Sequence, residues 1–133
     1  MAPSKLVTPA QVCEAVLAVA DWTRGQDVEK PSRSALADAV RTTVRTLAQV
    51  APGSSVEVRV PPFVAVQCIT GPRHTRGTPP NVVETDPHTW LQIATGVRTF
   101  DDALKDGSIT ASGSRAGDVA HWLPIMGLPI LRE

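Results

Sequence analysis

Asp86 and His88, in the stretch TDPHTW at residues 85–90, are the side chains that first suggest proton transfer, an acid two positions from an imidazole. Positions two apart on a helix face different directions, so the pair is not expected to share one substrate proton. A structural role accounts for Asp86 better. Its carboxylate can accept from the orphan amides of a first turn, Pro87 suits the first helical position, and Gly96 supplies a stop. His74 falls in a loop and His121 in the tail, each without a neighbouring acid or nucleophile. The chain contains no GxSxG, no GxxxxGK[ST], no GxGxxG and no HExxH. Cys13 and Cys68 are far apart and lack the spacing of a redox or zinc motif, so both read as small buried hydrophobes. These residues point away from an enzyme, and they call for no cofactor and no metal.

One polar constellation stands out. Within GPRHTRGTPP, Arg73, His74 and Arg76 share a Gly/Pro-shaped backbone, so two guanidiniums could hold a phosphate or carboxylate while a protonated His74 adds a third donor. A solvated loop with a coincidental basic cluster is the competing reading.

Composition limits the partners. The 133 residues suit one domain, and the 13 basic and 13 acidic side chains cancel. With a pI near 6.8 no general field draws in nucleic acid, and the chain has no Tyr and two Phe with which to stack bases. Gln11 and Glu14 interrupt the early Ala/Val run, which therefore does not read as a signal peptide, and no stretch has the length of a membrane span. A soluble, cytoplasmic protein with reduced thiols is expected.

The elements that must position these groups follow from caps and periodicity. Thr8-Pro9-Ala10-Gln11 is a capping box, followed by Val12, Ala15, Val16, Val19 and Ala20 at helical spacing and by Gly25 as the stop. A linker at 24–31 leads to a helix over about 33–50, with Leu36, Ala37, Val40, Val44, Leu47 and Ala48 on one stripe. The period then becomes twofold. Val56, Val58 and Val60 mark a strand with one buried face, and the apolar run Phe63–Ile69 predicts a strand covered on both sides, joined to the first by a hairpin or kink at Pro61-Pro62. A short strand over 81–84, a helix with Trp90, Ile93, Ala94 and Val97 inward, a shorter helix capped by Thr99, a strand over 108–113 and a helix from Ser114 to about Trp122 complete the reading.

The segment TWLQIATGVRTFDDALKDGSITASG resembles the C-terminal signature of the sterol carrier protein type-2 family. The correspondence lies in the aromatic-Leu pair Trp90-Leu91, the helix end Thr95-Gly96, the apolar Ala103 and Leu104, and a strand running from Gly107 through Ile109 to Gly113. The shorter arrangement, with VPPFVAVQC and the proline-rich loop, resembles a compact bacterial branch of that family. The resemblance implies an α+β fold, with helices packed on a curved, mostly antiparallel sheet of about four or five strands. Residues 1–31 would be a helical extension, 32–122 the core and 123–133 an apolar tail.

It also implies a noncatalytic carrier of a fatty-acyl, sterol or similar apolar ligand. A tunnel between the layers would be lined by Val64, Val66, Cys68, Trp90, Ile93, Phe100 and Leu104, with Trp122, Leu123 and Met126 at its end and Arg73, His74 and Arg76 near the polar head. Removing a chain of about sixteen carbons from water gains on the order of 10 kcal/mol before association costs, whereas an empty void of roughly 300 Å³ costs about 7 kcal/mol. Such a space must be filled, by ligand or by side chains such as Trp90 and Trp122. In the second case the chain would be an interaction or dimerisation module, pairing through the apolar tail HWLPIMGLPILRE.

Overall fold

A computed structural model describes residues 6–71 and 81–131. Three local devices start its helices where the sequence places them. Thr8 closes a full capping box with Gln11 at the head of α1 (Pro9–Ala18), Ser32 accepts from the amide of Ala35 at the head of α3 (Arg33–Val50), and Asp86 accepts from Thr89 at the head of α4 (Pro87–Thr95). Thr99 does the same for α5 (Phe100–Lys105), whose first turn carries Asp101 and Asp102 at its positive end.

Four strands form one sheet: β1 (Val56–Val60), β2 (Val64–Cys68), β3 (Val82–Thr85) and β4 (Ile109–Ser112), in the order β2-β1-β3-β4. The outer pairings, β1 with β2 and β3 with β4, are antiparallel, and the central pairing of β1 with β3 is parallel. The architecture is therefore α+β with a mixed sheet. Register puts Val64, Val66 and Cys68 beside Val60, Val58 and Val56, with Val83 and then Ala111 continuing the row from Val58. That face meets α3 and α4, while Glu57, Arg59, Ala65, Gln67 and Glu84 lie on the other.

Three expectations change. β2 is covered on one side only, because it is an edge strand with α3 across one face; Ala65 and Gln67 are exposed on the other. The helix beginning at Pro9 breaks at Val19, and a short α2 (Ala20–Thr23) follows. The break aims Trp22 at α4, where its ring meets His88 at 4.4 Å and its carbonyl lies 2.9 Å from His88 Nε2. The segment Ala116–Trp122 is a 3-10 helix beginning beyond Ser114, and it has no side-chain cap.

The core sits between the sheet and the pair α3 and α4. Trp90 is its largest member, fully buried, and its indole Nε1 donates to Thr43 Oγ1 on α3 at 2.7 Å. Thr43 in turn donates to the carbonyl of Ala39. Thr43→Val keeps the shape and removes the acceptor, so a buried N–H loses its partner. A loss of about 1–3 kcal/mol is expected in urea denaturation, against little change for the control Thr110→Val on the outer face of the sheet.

Candidate functional site

The residues expected to line an apolar site divide into two groups. Cys68, Trp90, Ile93 and Phe100 are buried members of one core, and Val64 and Val66 pack against it half-buried from β2. Leu104 projects outward from α5 at 40% exposure, and Trp122 and Met126 are exposed at 39% and 86%, with Leu123 half-buried between them. Between the layers, several large side chains are packed against one another. Leu47, Val44, Val58, Val83 and Trp90 present no surface that water can touch, so Trp90 is the plug that the size of the fold demands.

The tail turns one end of this layer into a covered one. From Leu123 to Leu131 it runs without helix or strand, a strap reversed once at Met126-Gly127, where Leu128 N–H donates to the Ile125 carbonyl and Gly127 takes φ 90°. Ile125, Leu128 and Leu131 turn inward and are buried. Ile125 N–H donates to the Ala94 carbonyl at 3.0 Å and Leu131 N–H to the Thr95 carbonyl at 2.9 Å, so the strap satisfies two orphan acceptors at the end of α4. Gly96, at φ 86°, lets the chain turn there. A Cβ at that position would lie 3.6 Å from Ile130 and 3.7 Å from Pro124. Arg24 adds a clasp from its Nε to the Leu131 carbonyl at 3.0 Å. The strap is thus held by the buried Ile125, Leu128 and Leu131, by Leu123 packed against the core, and by three hydrogen bonds, with no strand ladder of its own.

Arg73, His74 and Arg76 lie outside the described residues. Arg115 donates to the Thr70 carbonyl at 3.0 Å, and Asn81 bridges by donating to the Ser55 carbonyl and accepting from the Arg115 amide. Burial pushes the Cys68 thiol up to about 11, which keeps it protonated and poor as a nucleophile. No group of three or more His, Cys, Asp or Glu side chains that could hold a metal ion occurs among the described residues. No helix among them is long and apolar enough to cross a membrane.

The strap was legible in the sequence as an apolar tail. Its docking partner was not, because the acceptors it meets are backbone carbonyls that every helix end carries. Gly96 was the available signal for where such an end lies.

A family model described as bacterial SCP ortholog matches residues 32–125. The match opens at Ser32, the cap of α3, and closes at Ile125, the first buried residue of the strap. No curated protein matches the chain.

Inside the matched region Asp86 carries a measurable signature. Burial raises its pKa, but hydrogen bonds from the Thr89 amide and hydroxyl and its own amide, together with the charge interaction with His88, outweigh this and hold it below the usual carboxylate range. A depressed carboxyl stabilises the fold fully above its unfolded pKa, and the contribution fades as pH falls through the lower folded value. Asp86→Ala is expected to cost about 1 kcal/mol near pH 7. Denaturation at pH 7 and pH 3 should show that difference shrinking in acid, whereas Asp86→Asn, a good cap that does not titrate, stays nearer the parent at pH 7.

Proposed function

The chain belongs to the bacterial SCP ortholog family, and from that premise we propose that it is a noncatalytic carrier domain for a fatty-acyl, sterol or similarly apolar ligand. The observation that carries this reading is the strap. Ile125, Leu128 and Leu131 form a separable apolar cover over the end of α4, next to Ile93, Ala94 and Phe100 of the core. An alkyl or ring system entering from that end would replace the three side chains with similar apolar area, and micromolar affinity needs no dedicated polar contact. Val64, Val66, Cys68, Trp90, Ile93 and Phe100 are the proposed lining once Trp90 has shifted; Leu104, expected to join them, faces outward from α5 and stands outside it. Trp122, Leu123 and Met126 stand at the mouth, and Arg73, His74 and Arg76 are the proposed contacts for an anionic head.

A second reading rests on the closed state itself. With Trp90 pinned to Thr43 and Trp122, Met126 and Ile130 exposed along one tail, the same fold can hold a protein partner or a second copy through that surface.

Native mass spectrometry of freshly purified protein is expected to show a copurified apolar ligand, and a fluorescent fatty acid should bind with micromolar affinity and be displaced by unlabelled acid. Hydrogen exchange should quicken at the Ile125 and Leu131 amides on binding. No bound ligand and no uptake, together with a mass that rises with concentration and falls when Trp122 and Met126 become Ser, would reject the carrier in favour of the interaction module.

A further inference from the structure

A second hollow lies on the outside of the fold, away from the strap. It has a volume of about 460 Å³ and is walled by Lys30, Pro31, Arg33 and Leu36 at the head of α3, by Pro62 and Phe63 in the β1–β2 turn, and by Pro87 at the head of α4. That volume is in the range that takes a small organic molecule. The floor is apolar: Leu36 is buried, Phe63 is half-buried, and three prolines complete it. The charged wall is all positive. The Arg33 guanidinium lies 5.5 Å from the centre of the Phe63 ring and that of Arg41 5.9 Å from it, and Arg41 also donates to the Phe63 carbonyl at 3.2 Å.

Two contrasts give this charge its meaning. A groove of about 470 Å³ between α1 and α3 carries Glu14 and Asp38 beside Arg45, and a hollow of about 370 Å³ behind α2 carries only the acids Asp21 and Glu29, so the first is mixed and the second negative, and neither offers an anion a purely cationic wall. Asp86, the acid nearest the Pro87 wall in sequence, is engaged by the Thr89 amide and hydroxyl. Lys30, just before α3, and Arg33, its first residue, are also poorly placed for that helix. The head of α3 is its positive end, and its first turn holds no acid. Cations there weaken a helix, so the helix itself does not account for them; Arg33 has its contact with Phe63, and Lys30 forms none of the ion pairs among the described residues.

We propose that this hollow binds an organic carboxylate with a short alkyl or aromatic body, the carboxylate between Lys30 and Arg33 and the body on Phe63 and Leu36. The site is independent of the strap and of the carrier reading. Its hot residues come from three segments, 30–36, 62–63 and 87, which only folding brings together.

Octanoate titrated into the full chain, followed by amide chemical shifts, tests it. Shifts are expected to centre on Leu36 and Phe63 while Ile125 and Leu131 stay still. Octan-1-ol and inorganic phosphate, which supply the body or the charge alone, should each bind at least about tenfold more weakly, the loss of one charge-assisted or well-buried contact. Lys30→Gln with Arg33→Gln should weaken octanoate about tenfold or more while leaving the thermal midpoint unchanged or higher, and added salt should weaken the parent but hardly the variant. Octanol or phosphate binding as tightly as octanoate, shifts centred on the strap, or a double variant that binds normally would each overturn the proposal. A failure of long-chain uptake through the strap would leave it standing.

Discussion

The structure turns on the burial of α4 around almost its whole circumference. From Thr89 to Thr95 every residue is buried, polar ones included, and each polar group has a named partner. Gln92 Nε2 donates to the Thr23 carbonyl, Thr95 Oγ1 to the Leu91 carbonyl, and the Trp90 indole to Thr43. A helix so enclosed cannot choose one neighbour. The sheet and α3 take one side, α2 another, and the strap closes the end. Because an unpaired polar group in this setting costs about as much as a substantial fraction of a small domain's stability, these hydrogen bonds fix which segment meets which side.

This enclosure explains why the layers are closed. A 133-residue chain has little surface to spare, and Trp90 is the largest side chain fully buried in its core. Filling that core with Trp90 secures the apo fold, and the Thr43 hydrogen bond gives the ring a unique seat.

Much of this was legible in local chemistry. Thr8, Ser32, Asp86 and Thr99 cap their helices through contacts within three residues, and the Val56-Val58-Val60 alternation marks a strand with no need of its neighbours. The apolar stripe of α4 was visible too, as Trp90, Ile93 and Ala94. What escaped depends on distant partners. The edge position of β2 follows from sheet order, which an apolar run does not encode. The break at Val19 follows from what Trp22 meets on α4. Burial of Thr89, Gln92 and Thr95 reverses the usual meaning of polar residues on a helix, because acceptors arrive from the Asp86 carboxylate, from α2 and from the helix's own backbone. The hollow at Phe63 was invisible for the same reason, its walls being dispersed over nearly sixty positions from Lys30 to Pro87.

Cys68, at the end of β2, sits in the core with no surface exposed, whereas Cys13 on α1 is only half covered. The two thiols therefore keep different time. A thiol-directed reagent reaches Cys13 in the native molecule but must wait at Cys68 until the edge strand lifts, and the high pKa of that thiol slows it further. The protein thus carries its own stopwatch for breathing at one border of the sheet, readable without introducing any foreign label.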